Sequence, residues 1–513
     1  FQNRPTGVFW WGFYDNQNVD EFLETALAFI SGGQIDPTRM RSSSVRAQVI
    51  AAMLANGRYL FVLDGLEVLQ RQDGDDYGLL RSPALQTFLE LFAAPGHNSF
   101  CLITSRAPLL DLLAYTSYTH RDVGPVSVPD GRALLRELGV TGPDAALDQL
   151  VRQWDGHALT LSLLGSYLHW RHKGDIAFAD QFDPVGSRHA STLPEDAPDE
   201  ARQRYSHVHR VLRRYDEHLT AAERAFMTLF SAFRTPVAPD AFARVFRTPP
   251  EPTAGRGGSR ARPDEGDHKG SPLQTALAEL NDTQFDGLLT RLVGYRLLRH
   301  NEAANTYTTH PLVRNHYLAL LTGSGQAAQT HDQLKAYYLA LAGDTPHQPT
   351  LADLAPLIEV VYHACCAGAY DEAYQIHDER IIQKERFVLL HQLGSFETEL
   401  ALMQQFFPGG DTSQEPQVSK ASNKSWILNM VGACLMSLGR LATAVPFYER
   451  GNQMDAELED WHNASIGYRN LAELNAHLGR LAASATAAEE ALTLARRAEE
   501  DRKSTRLNSS HLV

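Results

Sequence analysis

Short apolar runs alternate with stretches of helical spacing through the first 130 residues, and from about Gln326 helical spacing continues to the end of the chain. The clearest run is Tyr59-Leu60-Phe61-Val62-Leu63, which stops abruptly in Asp64-Gly65-Leu66-Glu67. Five consecutive apolar residues, rich in β-branched and aromatic types, read as a strand buried on both faces. Gly7 to Tyr14 (GVFWWGFY) and Ser99 to Thr104 (SFCLIT) read the same way, and His120 to Val128 as a weaker fourth strand. Between them, Val19, Phe22, Leu23 and Ala26 keep a helical spacing that Gly32-Gly33 stops. Ser43 or Ser44 opens a second helix ending near Asn56, and Pro83 to Ala94 form a third. Strands separated by helices imply parallel βαβ units. The fold class expected is therefore multidomain, with an α/β core of parallel strands at 1–128 followed by a helical lid, a winged helix and an all-α solenoid.

Asp130 to Leu138, Asp144 to Trp154 and Ser162 to Trp170 are helical by spacing and make a helical lid at 129–186. A polar stretch with Pro194 and Pro198 reads as a linker, 187–205. At 206–322 a basic helix (Val208 to Leu219), further helices at Ala221 to Ser231, Pro239 to Val245 and Phe285 to Leu292, and a two-stranded wing (Tyr295 to His300 with Thr306 to Thr309) suggest a winged helix. Its interior segment 248–272 is rich in Pro, Gly, Arg and Asp, too poor in apolar residues to bury a core, and reads as a disordered insertion. In 326–500, Leu438-Gly439-Arg440-Leu441-Ala442 returns 40 residues later as Leu478-Gly479-Arg480-Leu481-Ala482, with fainter copies at Gly394 and Gly368. Glycine turns between helices, with small residues at Ala373 and Ala444, predict stacked helical repeats of tetratricopeptide type, although a generic bundle fits too.

Composition narrows the class. The 513 residues are 43% hydrophobic and 21% charged with a net charge of −14, the balance of a globular protein and not of a chain coated in nucleic acid. No apolar run approaches the ~18 residues that span a bilayer, so no membrane partner is expected. The four cysteines form no CxxC pair, which disfavours disulfide and zinc frameworks and points to a reducing cytoplasm.

The candidate chemistry lies where the runs end. In an open α/β sheet ligands bind at the carboxyl ends of the strands. Asp64 there can hold a metal-bound water against a phosphate, or can simply cap the next helix. Strand, helix, LFVLDGLE, helix, LITSR in this order resembles the core of the STAND signal-transduction NTPases, the P-loop class that includes NB-ARC and NACHT proteins. The resemblance implies that Asp64 belongs to Walker B and binds Mg²⁺, that Glu67 is the acid following it, and that Arg106 is sensor 1 on the terminal phosphate of ATP. It further implies that Gly156-His157-Ala158, where the family has Gly-x-Pro, lies against adenine, and that His310 of Thr309-His310-Pro311 is the MHD histidine on the β-phosphate of ADP, kept while Thr309 and Pro311 replace the Met and Asp. The residues themselves leave an ordinary helix start at Gly156 and a structural His310 open.

The chain departs from the family elsewhere too. Val68 stands where NACHT-like proteins have a second acid, which removes one candidate base for rapid hydrolysis. The G-x-x-x-x-G-K-[ST] loop is absent from the sequence, so the chain is expected to be a fragment that has lost its first strand and Walker A. DRKSTRLNSSH at 501–511 reads like a translated sequencing adapter, so 501–513 is expected to be non-native. The function expected is a nucleotide-dependent switch whose repeats sense a protein or peptide and whose ATP form assembles into a homo-oligomer. The whole protein would be a weak ATPase and the fragment inactive. The alternatives are a DNA-binding regulator, which Arg210, Arg213 and Arg214 suggest and the acidic balance disfavours, and a repeat scaffold with a dead core.

Overall fold

The computed structural model describes residues 4–37, 40, 42–71, 77–182, 199–247 and 272–510. The expected insertion and most of the expected linker fall outside them. The chain is mostly helical and divides into two compact units. One unit joins 1–72 and 78–119 to 338–513; the other holds 73–77 and 120–337.

In the first unit, β1 (Gly7–Gly12), β2 (Tyr59–Asp64) and β3 (Phe100–Ile103) form a parallel sheet in the order β1-β2-β3. The helices α1 (Val19–Ser31), α2 (Ser43–Met53) and α3 (Pro83–Ala93) follow or precede the strands as the spacing predicts. Asn18 accepts from the Glu21 amide to open α1, and Ser82 accepts from the Leu85 amide to open α3, with Pro83 at its first position. The register sets Phe9 opposite Phe61 and Gly12 opposite Asp64. Because side chains alternate along a strand, Phe9, Phe61 and Leu63 share one face. They are buried there with Phe22 of α1 and Phe88 and Phe92 of α3, ring centroids being 5.0 Å apart for Phe9–Phe61 and 5.3 Å for Phe22–Phe88. The opposite face carries Val8, Trp10, Phe100 and Leu102, all exposed, with Trp10 at 66%.

No strand forms at His120–Val128. Residues 120–125 are exposed, Pro125 has no amide to donate, and the Val126 amide donates to the Gly156 carbonyl at 2.9 Å instead of to a neighbouring strand. The valines there never alternate against a buried partner, so apolar content alone misled the reading.

The second unit continues with α4 (Val128–Glu137), α5 (Asp144–Gln153), α6 (Ala158–His172), α7 (Asp199–His218), α8 (Ala221–Phe230), α9 (Pro272–Ala278) and α10 (Asp282–Gly294). A hairpin of β4 (Arg299–Asn301) and β5 (Thr306–Thr308) and then α11 (Pro311–Gly323) follow. Phe226, Phe242, Phe246 and Phe285 pack together beneath the hairpin, where Tyr307 bridges to Val237.

After α12 (Ala327–Ala342), the first unit resumes with α13 (Leu351–Cys366), α14 (Tyr370–Ile376), α15 (Phe396–Gln404), α16 (Ala421–Ser437), α17 (Leu441–Glu457), α18 (Trp461–His477) and α19 (Leu481–Ser510). Gly368, Gly394, Gly439 and Gly479, the four glycines singled out in the sequence, all sit at positive φ between helices. Ala369, Arg440 and Arg480 each return an amide hydrogen bond five residues back, the αL termination that glycine permits. Ser395 reaches six residues back to Leu389, because its turn follows a wider helical turn at Val388–Gln392. Gly467 packs directly against Asn452, so α17 and α18 approach where any side chain would collide. Helical backbone continues through 501–510, where Ser, Thr and Asn lower helix propensity without breaking it.

Phe22→Ala should cost about 3–5 kcal/mol, read as a lowered denaturation midpoint, because a fully buried ring leaves a cavity. Val8→Thr on the open face should change stability by no more than about 0.5 kcal/mol.

Candidate functional site

The carboxyl ends of the three strands meet at one rim. Beyond the strands the backbone stays in register: Phe13 donates to the Asp64 carbonyl at 2.8 Å, Thr104 to the Leu63 carbonyl at 2.9 Å, and Leu66 to the Thr104 carbonyl at 2.9 Å. This fixes Asp64 between Tyr14 on one side and Thr104 on the other.

Asp64 does not cap a helix. The short 3₁₀ turn Leu66–Leu69 starts from Gly65 with no side-chain cap. Instead the Thr104 hydroxyl donates to Asp64 Oδ1 at 2.5 Å and itself accepts from the Gly65 amide at 2.9 Å. One threonine therefore orients the carboxylate and pins the turn beside it. A carboxylate has about four acceptor positions, so this bond leaves Asp64 with capacity for further donors such as metal-bound waters.

Glu67 lies one turn on and is nearly buried. The Tyr14 hydroxyl donates to its Oε1, and Arg106 Nε donates to the same oxygen at 3.0 Å. The Arg106 guanidinium also lies over the Tyr14 ring, 5.9 Å from its centroid. Burial raises the Glu67 carboxyl above its ordinary range, and Arg106 opposes that rise. Gly65 allows this closeness: its φ is +76°, and a Cβ there would lie 2.6 Å from the Tyr14 ring.

The loop that presents Arg106 is braced from below. Gln70, fully buried, donates to the Gly78 and Pro108 carbonyls at 2.6 and 2.9 Å and accepts from the Ser105 hydroxyl at 2.5 Å. Ser105 in turn accepts from the Ala107 amide at 3.1 Å. Arg106, about two-fifths exposed, is thus carried on a rigid turn with its head toward the rim.

The structure brings Asp64, Glu67 and Arg106 together. Gly156, His157 and His310 belong to the other unit. Gly156 sits at φ +62°, where a Cβ would meet the Val126 carbonyl at 2.4 Å. His157 caps α6, accepting from the Thr160 amide at 3.2 Å, and His310 caps α11 through the Leu312 amide at 3.2 Å. All three have clear local roles in starting helices. Sequence reading missed Tyr14 and Thr104. Each is the last residue of an apolar run, as Asp64 stands at the end of its own, and that shared position was the available signal.

Among the described residues no three or more His, Cys, Asp or Glu side chains gather as a metal cage. Asp64 alone would be the carboxylate ligand for a Mg²⁺ carried in on phosphate oxygens, where a protein supplies only one or two ligands.

Arg106→Gln should raise the Glu67 carboxyl further, since the main interaction lowering it is lost while burial remains. A carbon-detected NMR titration of the Glu67 carboxyl would record the shift; a lower value would contradict the pairing. Gly65→Ala should lower stability by about 1–3 kcal/mol in chemical denaturation, through strain at positive φ and the clash with Tyr14.

No protein-family model matches the chain, and no curated protein matches it. Among solved structures it is similar to a signal transduction ATPase with numerous domains (STAND) protein with a tetratricopeptide repeat sensor from Pyrococcus horikoshii. The TM-score is 0.46 and the identity 12%, over 96% of this chain and 72% of that one. At that score and identity the likeness assigns no role to any residue.

Proposed function

We propose that the chain belongs to a nucleotide-dependent signal-transduction switch of STAND type, with an ATP/ADP site at the rim of the three-stranded sheet. The observation that carries this reading is the Tyr14–Glu67–Arg106 cluster beside Asp64, a cation held against a buried carboxyl where α/β sheets bind ligands. In this reading Asp64 holds Mg²⁺ through water. Arg106 trades its bond to Glu67 for two oxygens of the terminal phosphate, a geometry to which a guanidinium is suited. Glu67, once released, would be an acid facing that phosphate, and Val68, standing where a second acid is expected, makes a slow ATPase or none the outcome of this reading.

The adenine contact of Gly156 and His157 and the β-phosphate contact of His310 rest on the sequence resemblance alone. So does an ATP-driven homo-oligomer, whereas the winged-helix and tetratricopeptide readings of 206–322 and 326–500, and with them a protein or peptide ligand on the repeats, rest on the spacing of helices, wing and glycine turns. The alternative, a DNA-binding regulator, has less support: Arg214 pairs with Glu217, and Arg291 of α10 pairs with Glu223.

The test is equilibrium binding of ADP and ATP, with and without Mg²⁺, to the protein made from its complete reading frame. Asp64→Ala should weaken Mg-nucleotide binding at least about tenfold and leave metal-free binding unchanged, since a lost charge-assisted contact costs about 1.5–3 kcal/mol. Arg106→Ala should weaken both. Equal Mg-nucleotide affinity in Asp64→Ala would end the assignment. A reading frame with no phosphate-binding loop upstream would favour a repeat scaffold with a dead core.

A further inference from the structure

Within the first unit the repeats grip the α/β core through a buried polar seam. The residues come from helices 378 positions apart in sequence. Thr398, in the first turn of α15, donates its amide to Asp20 Oδ2 at 2.9 Å, and its hydroxyl lies 2.8 Å from the same oxygen. That hydroxyl is also 3.1 Å from Asn18 Oδ1, the cap of α1. Glu397 Oε1 accepts from the Ser82 hydroxyl at 2.7 Å and the Ala84 amide at 3.0 Å, at the N-terminus of α3. Arg46 of α2, wholly buried, donates to the Leu393 carbonyl and lies 3.1 Å from Glu24 of α1. Ser43 donates to Asp20.

Carboxyls outnumber cations here. Facing Glu397 are Asp20 of α1 and Arg440 from the turn before α17; beside it on α15, Glu399 pairs with His377 at 3.0 Å. Glu24 of α1 and Arg46 of α2 lie behind Asp20, and Cys434 of α16 faces Asp20, Glu397 and Glu399. Asp20, Glu399 and His377 have no exposed surface. Arg46 is the one cation wholly buried among them; Arg440 reaches Gln86 of α3 at 3.0 Å.

We propose that this seam is a proton-linked clasp: its closure takes up protons on the carboxyls it buries, and their ionisation frees α15 from the N-termini of α1 and α3. Burial pushes Glu397 up to about 7, with Asp20 reinforcing the rise, and pushes Glu24 to about 7 and Asp20 upward. Released, Glu397 returns to an ordinary value near 4.5. A group whose proton affinity is higher when closed favours closure most below its open-state value. The clasp is therefore tightest in acid, weakens as pH rises from about 4.5 to about 7, and is level above that. The seam touches α1 four residues after Tyr14, and α3 follows β2 and its acid-ended turn, so opening it loosens the helices that frame the rim. The clasp is independent of whether the rim binds nucleotide.

Hydrogen–deuterium exchange of the whole chain tests this, at pH 5.5 and 8 and corrected for the chemical rate. Peptides covering 18–24, 82–88 and 395–402 should lose protection about thirty-fold between the two pH values, from Glu397 alone, while 282–294 in the other unit stays constant. Glu397→Gln keeps an acceptor for Ser82 and Ala84 and should flatten most of that dependence. Thr398→Val should lower protection of 18–24 at both pH values without flattening the slope. Constant protection from pH 5.5 to 8, an unchanged slope in Glu397→Gln, or an equal loss at 282–294 would each overturn the clasp.

Discussion

The site depends on the central place of β2 in a parallel sheet. A strand bonded on both sides cannot slide without breaking two ladders, and a slip of one residue would turn its buried face outward. With Gly12, Asp64 and Ile103 held at one rim, the next residues of all three chains have little freedom. Thr104 then needs only its hydroxyl to fix Asp64 and Gly65 together. The rim is a product of register first and of side-chain chemistry second.

Much of this was legible beforehand because it rests on local rules. Three apolar runs became three parallel strands, Asn18 and the glycines at 32 and 33 bounded α1, and four glycines between helices took the backbone form that only glycine adopts easily. The partners of the acidic residues were less legible. Asp64 was recognisable as a strand end, yet nothing in the sequence said that Thr104 would hold it or that Tyr14 and Arg106 would share Glu67. Those contacts join residues 39, 40 and 53 positions apart, and a pattern with a period of two or 3.6 carries no information at that range. His120–Val128 failed for the opposite reason: it has the valines of a strand, but Gly124 and Pro125 interrupt them and residues 120–125 stay exposed.

The core and the repeats handle acids in two ways. At the rim, Glu67 shares a guanidinium with open access to solvent, so a competing anion has a cation to take. In the seam, Asp20 and Glu397 satisfy their oxygens with neutral donors, a hydroxyl, a threonine and backbone amides, and one arginine stands for several acids. Neutral donors satisfy geometry without offsetting the cost of burying charge, which is why proton affinity rises in the seam although its oxygens are hydrogen-bonded.

The path of the chain through its first unit carries a kinetic consequence. The α/β segment is complete by residue 119, but the helices that seal its flank begin beyond residue 338. During synthesis the early segment leaves the ribosome long before α15 exists, so Arg46 and Asp20 must wait in water, solvated and mutually attracted, while the other unit is made. Closing a loop of that length is a late and slow event. Maturation should thus run in stages, with the half-dressed α/β segment as its longest-lived intermediate and the arrival of Thr398 as the step that completes it.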